Sequence, residues 1–277
     1  MDITTITSYR RARTRDDLAL APGEVVMAGG TWLMSEPQPE TTGFVDLTTL
    51  EWPDLEITDD GLRIGATCTI ARLLEWAENE APAEWTSLAL ARPAADALLA
   101  SFKIWNTATV GGNVCRAFAA GAMVSLLSTL DATALVWTPD GGERRIAVAD
   151  LVIDNAATSL APGEVVRALD VPAHALHARV GLQKIALAEL GRSGAVATAR
   201  VDPDGSSVFV VTAAVRRPRV LRFPRIPGAG ELRDAVAAAT DFYTDPLGTA
   251  DWRRGVSVVL AERVRRGFLA AEREGAA

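Results

Sequence analysis

Apolar residues along this chain fall into short alternating runs over the first two thirds and into helical spacing near the end. Val25-Val26 and Val45-Asp46-Leu47 predict strands on either side of a Pro37-Gln38-Pro39 loop, and the largely polar stretch from Arg10 to Leu20 predicts a helix. Leu55-Glu56-Ile57-Thr58 and Leu62-Arg63-Ile64 alternate around Asp59-Asp60-Gly61, a hairpin signal because such a turn needs positive φ. Thr69 is placed to cap a helix running through Glu78. Pro93 to Phe102 predicts a second helix. Gly121 to Leu130 predicts a third, with Met123, Leu126, Leu127 and Leu130 at helical spacing. Leu135-Val136-Trp137 and Arg144-Arg145-Ile146 flank Pro139-Asp140-Gly141-Gly142 as another hairpin, and Glu164 to Val171 reads as a strand ending before Pro172.

Beyond about residue 174 the pattern changes. Leu182-Gln183-Lys184-Ile185, Ala195 to Val201 and Val208 to Val215 predict strands of an antiparallel meander, the last two joined by Asp202-Pro203-Asp204-Gly205. Two helices follow, Glu231 to Thr240 and Asp251 to Ala270, the latter with Val256, Val259, Leu260, Val264 and Phe268 assigned to one apolar face. Strands followed by helices predict an α+β fold, divided into a domain of residues 1–174, with lobes of about 1–54 and 55–174, and a C-terminal sheet-and-helix domain of residues 175–277.

Composition narrows the function. With 277 residues, 49% of them hydrophobic, the chain can bury a sizeable core. The formal net charge is −7 and the arginines are scattered, which argues against nucleic acid as a partner. No apolar run approaches the roughly 18 residues of a membrane span, and Met1-Asp2-Ile3-Thr4-Thr5 lacks the basic and apolar regions of a secretory leader, so a cytoplasmic location is expected. Cys68 and Cys115 are far apart and lack metal-site spacing, so no metal or cluster is expected in this chain. His174 and His177 have no nearby ligand residues in sequence and read as a linker pair.

The candidate chemistry lies in two double-glycine segments, Ala28-Gly29-Gly30-Thr31 and Thr109-Val110-Gly111-Gly112-Asn113. Residues without side chains let successive backbone N–H groups converge on an anion, so two such turns are suited to hold a diphosphate from both sides. Thr31, Thr109 and Asn113 add side-chain donors, and Trp32 and Trp105 lie close enough in sequence to shield or stack on a dinucleotide. No nucleophile or general base is marked out: Gly191-Arg192-Ser193-Gly194 lacks the spacing of a nucleophile elbow.

Taken in order, Ala28-Gly29-Gly30-Thr31, Leu62-Arg63-Ile64-Gly65-Ala66, Thr109-Val110-Gly111-Gly112-Asn113 and Leu130-Asp131-Ala132 resemble the FAD-binding medium subunit of the molybdenum hydroxylases. That group includes the xanthine dehydrogenase and carbon monoxide dehydrogenase flavoproteins. The resemblance covers nearly the whole chain. It implies a two-lobed FAD-binding domain of the vanillyl-alcohol oxidase (PCMH) type, followed by a C-terminal domain of the carbon monoxide dehydrogenase flavoprotein kind. It implies FAD contacts from Met27, Ala28, Gly29, Gly30, Thr31, Trp32 and Leu33 and from Thr109, Val110, Gly111, Gly112 and Asn113, with Leu99, Val166 and Lys184 beside the cofactor. It further implies a large molybdopterin subunit and a small subunit with two [2Fe-2S] clusters as partners, assembled as a dimer of heterotrimers, with electrons passing through FAD to NAD or another acceptor. The chain departs from the family pattern where Ala122 replaces an Asp that contacts the FAD sugar, where Trp105-Asn106 replaces Arg-Asn, and where Phe118-Ala119 replaces Asp-Pro. The Ala122 departure motivates an FAD-free structural adaptor as the alternative.

Overall fold

The computed structural model describes residues 4–97, 102–188 and 191–275. The first lobe is a small parallel sheet of β1 (Ser8–Arg11), β2 (Glu24–Met27) and β3 (Gly43–Asp46), with β3 in the middle. Every residue of β3 is buried, as a strand flanked on both edges and covered on both faces requires. The helix expected over Arg10 to Leu20 is not formed. Its beginning is β1, and after a loop a short 3-10 turn runs from Arg15 to Leu18. Arg10 explains the difference: from an edge strand it reaches across to Glu24, at 2.8 and 3.0 Å, and donates to the carbonyls of Asp17 and Ala19. Its role is tertiary and leaves no local periodicity.

The second lobe contains β4 (Leu55–Thr58), β5 (Gly61–Gly65), α1 (Ile70–Asn79), α2 (Ala91–Asp96), α3 (Phe102–Trp105), α4 (Val110–Arg116), α5 (Ala122–Thr129), β6 (Thr133–Trp137), β7 (Glu143–Ala147), α6 (Val148–Leu151), β8 (Val152–Asp154), β9 (Ala157–Thr158) and β10 (Val165–Pro172). Its main sheet is antiparallel in the order β4-β5-β10-β6-β7, so the two hairpins marked by Asp-Gly turns are joined through β10. Thr69 caps α1 through a hydrogen bond from the Arg72 amide, as its position predicts. One hydrophobic core joins both lobes, with Val45, Leu47 and Trp52 of the first packed into the same cluster as Leu62, Leu127 and Leu169 of the second.

After α7 (Ala173–Leu176), the C-terminal meander runs β11 (Arg179–Ala186), β12 (Ser193–Val201), β13 (Ser207–Thr212) and β14 (Arg219–Phe223). It is backed by α8 (Ala229–Ala237) and α9 (Ala250–Gly275), which share a second core with it. The buried stripe of α9 starts one turn earlier than its apolar residues suggest, at Arg253 and Ser257, and continues through Leu260, Val264 and Phe268. That phase turns Val259 outward, 47% exposed, although its apolarity assigns it to the inner face.

The C-terminal sheet is fastened to the second lobe by α5. Ser125 meets Thr212 and Thr129 meets Thr198 through buried hydroxyl pairs. Beside them, Asp131 accepts from both Arg200 and Arg222. Asp131 has a left-handed backbone at φ 53°, so the Leu130-Asp131-Ala132 motif is the turn that aims a carboxylate at the C-terminal sheet.

Candidate functional site

The first glycine segment begins where β2 leaves its sheet. The Met27 carbonyl still accepts from the Leu47 amide at 2.8 Å; then Gly30 takes φ +66° and its carbonyl accepts from the Met34 amide at 2.8 Å, closing a tight turn. Between these two points, no main-chain amide from Ala28 to Leu33 donates to a described residue. A run of free N–H groups around a left-handed glycine is the geometry that collects an anion. Gly29 fixes where this run lies: a Cβ there would sit 1.8 Å from the Thr107 carbonyl oxygen and 3.3 Å from the Ala108 Cα. The first segment is therefore pressed against the residues that lead into the second.

The second segment differs from the expected open turn. Thr109 is an N-cap and Val110, Gly111 and Gly112 are the first turn of α4. Its amides are engaged inside the protein. Val110 donates to the Cys68 carbonyl at 2.8 Å, Gly111 to Ala66 at 3.0 Å, Gly112 to the Thr109 hydroxyl at 3.0 Å and Asn113 to the Thr109 carbonyl at 2.9 Å. The first two bonds and a Thr69–Thr109 bridge tie this turn to the strap that follows β5. Gly111 is required there by packing, since a Cβ would come within 2.5 Å of the Ala66 Cβ. The Asn113 side-chain oxygen accepts from the Met123 amide at 3.0 Å, capping the start of α5. What this segment can offer a ligand is the exposed surface of Gly112 and the Asn113 side-chain NH2.

The remaining expected site residues are spread around this junction. Leu99 lies outside the described residues. Val166 is 3% exposed in β10, opposite Val136 and beside a bulge at Arg167; its strand packs against α4. Lys184 in β11 donates from Nζ to the Asp96 carbonyl at the end of α2, 2.9 Å away. Ala122 is 1% exposed and belongs to the main core. The departure from Asp at this position thus coincides with a side chain that faces protein.

Residue-by-residue reading of the sequence missed Arg116. Its guanidinium lies 4.2 Å from the Trp32 ring and 4.2 Å from the Phe118 ring, and those rings meet edge to face with centroids 4.8 Å apart. Arg116 Nε is buried with no acceptor among the described residues, and so is the indole N–H of Trp105. The only sequence signal was an arginine three positions after Asn113, with nothing to connect it to Trp32. Cys115 and Cys68 are chemically quiet, burial pushing both thiols up to about 12. His177 hydrogen bonds the Glu84 carbonyl and His174 lies 3.9 Å from Asp131, so the two imidazoles serve separate local contacts.

Residues 8–174 match the family described as the FAD binding domain in molybdopterin dehydrogenase, and the chain belongs to that family. No curated protein matches it. In fold it is similar to a chain of reconstituted CO dehydrogenase from Oligotropha carboxidovorans, with a TM-score of 0.82 at 20% identity over 96% of this chain and 99% of that one. It is also similar to quinoline 2-oxidoreductase from Pseudomonas putida 86, with a TM-score of 0.77 at 19% identity over 96% and 99%. CO dehydrogenase from Hydrogenophaga pseudoflava gives a TM-score of 0.77 at 19% identity over 94% and 96%. Among the described residues no helix is long and apolar enough to cross a membrane.

FAD is the cofactor of this family, and the residues present fit it. The Ala28 to Leu33 amides form an open donor run suited to a diphosphate, and a guanidinium without a carboxylate partner among the described residues stands over Trp32 of that run.

Proposed function

We propose that this chain is the FAD-bearing electron-transfer subunit of a molybdenum-containing hydroxylase or dehydrogenase. In this reading its partners are a large molybdopterin subunit and a small [2Fe-2S] subunit, in a cytoplasmic dimer of heterotrimers, and its acceptor is NAD or another oxidant. The observation that carries it is the run of free amides from Ala28 to Leu33 lying against residues 107 and 108. FAD, when bound, exchanges electrons singly or in pairs and so couples one-electron clusters to a two-electron acceptor.

The chain's own residues bind and orient. Met27 to Leu33 hold the diphosphate by backbone donation, Gly29 keeps the two lobes in contact, and Thr109 to Asn113 form the opposite wall. Val166 gives an apolar backing through β10. Lys184 sets a positive charge at the boundary with the C-terminal sheet, which favours electron-rich states of a neighbouring ring. Residues 1–174 are assigned to cofactor binding and residues 175–277 to the second domain. Similarity to CO dehydrogenase and quinoline 2-oxidoreductase chains supports the molybdenum hydroxylase class without selecting a xanthine dehydrogenase-like specificity.

The burial of Ala122 and the engaged amides of residues 110–113 favour one other reading, an FAD-free adaptor of the same complex. The absorption spectrum of the purified chain separates the two. Flavin bands at about one FAD per chain, with the released chromophore identified by mass, support the electron carrier. A protein that remains colourless after incubation with FAD and removal of the excess rejects it in favour of the adaptor.

A further inference from the structure

Most buried or half-buried arginines of this molecule have carboxylates. Arg10 meets Glu24, Arg63 meets Asp170, Arg144 meets Glu164, Arg200 meets Asp131 and Arg253 meets Asp245. Arg116 makes no ion pair and no hydrogen bond with any described residue, although its Nε is fully buried. The carboxylate whose charge reaches it, Glu36, stays outside ion-pair distance, and burial lowers the Arg116 pKa. Burying Nε of a guanidinium without a paired counter-charge is unfavourable if nothing else approaches it. The Trp32 and Phe118 rings, each 4.2 Å from its Cζ, recover part of that cost by cation–π attraction. One of those faces is Trp32, inside the run of free amides.

We propose that Arg116, held between Trp32 and Phe118, is the cationic contact for the diphosphate of FAD in this chain. The inference rests on the electron-carrier reading above. It also bears on the Ala122 departure: where family members place a carboxylate toward the cofactor's sugar, this chain has a buried alanine, while Phe118 packs against the guanidinium. Binding energy moves from the sugar to the diphosphate.

The test is FAD titration of the full-length apoprotein, followed by flavin fluorescence, at several salt concentrations. The variants are Arg116→Gln and Arg116→Lys, each confirmed folded by a thermal melt. A charge-assisted contact predicts that Arg116→Gln weakens FAD about tenfold or more at low salt and flattens the dependence of log Kd on log salt. Arg116→Lys should regain the salt dependence, because the charge returns, but only part of the affinity, because the planar fork does not. Unchanged FAD affinity in Arg116→Gln overturns the proposal, and so does weaker affinity with an unchanged salt slope, which identifies a purely packing role. If wild-type protein binds no FAD at all, the electron-carrier reading fails first, and the proposal with it. If Arg116→Gln does not fold, Arg116→Lys decides: reduced affinity with the wild-type salt slope supports an oriented guanidinium, and full wild-type affinity overturns it.

Discussion

Asp131 offers the sharpest quantitative test of how the two halves are held together. Burial pushes its carboxyl up, but hydrogen bonds and charge from Arg222 and Arg200 outweigh that and hold it at about 2, below the ordinary 3.8. A depression of this size corresponds to about 2.4 kcal/mol of stability. Arg222 is 60% exposed and its share is screened by solvent, so about 1–2 kcal/mol is the working figure. The substitution Asp131→Asn isolates the charge, because Asn also tolerates the left-handed backbone at φ 53° and matches the volume. Arg200, 2% exposed at its side chain, keeps Asp202 at 2.8 Å as a second partner, which limits the damage. The expected loss at pH 7 is therefore about 1–2 kcal/mol, measured by urea unfolding. The sign with pH follows from the depressed folded value. The contribution is complete above the unfolded pKa near 4 and disappears as pH falls through about 2, with about half already lost by pH 3. Wild type and variant should thus converge under acid. Equal stability at pH 7, or a difference that persists unchanged to pH 3, would refute the assignment of Asp131 as the charged clamp between α5 and the C-terminal sheet.

Three further outcomes follow from the same geometry. Gly29→Ala forces a Cβ to 1.8 Å from a backbone oxygen that cannot swing away, so it should destabilise the protein by about 3 kcal/mol and abolish FAD retention; a normal melt with full flavin absorbance would contradict the packing of the two lobes at Thr107. Gly111→Ala and Gly112→Ala should separate, the first lowering the melting temperature strongly through the 2.5 Å clash with Ala66 and the second lowering it less, since its Cβ meets only the Thr109 cap hydroxyl at 2.8 Å. Cys68, fully buried with its thiol raised to about 12, should resist alkylation at pH 8 in the native protein and react once urea unfolds it; rapid native labelling would contradict that burial.

Much of this architecture is written locally. The hairpins around Gly61 and Gly141 appear where Asp-Gly chemistry places them, because a left-handed turn residue needs no help from the rest of the chain. The same holds for the Thr69 cap, and α5 forms where apolar spacing predicts a helix, although the fold buries it on every side. Other elements give no such signal. β1 is four polar or amphipathic residues whose identity as a strand depends on pairing with β3, more than thirty residues away. α4 contains two glycines, a composition that disfavours helix by about 1 kcal/mol each relative to alanine. It forms because Thr109 caps it, Ala66 and Cys68 accept its first amides, and only a glycine fits against Ala66.

The candidate site divides along the same line. The sequence by itself determined that two glycine segments exist and that their order matches an FAD-binding family, since short motifs carry their own backbone freedom. Tertiary structure alone decided that the two segments are unequal: the amides of Ala28 to Leu33 have no acceptor among the described residues while those of Val110 to Asn113 are engaged. It alone brought Arg116 between Trp32 and Phe118 and turned Asp131 toward Arg200 and Arg222. Whether a donor is free, and whether a charge is paired, depends on which distant groups the fold carries to it.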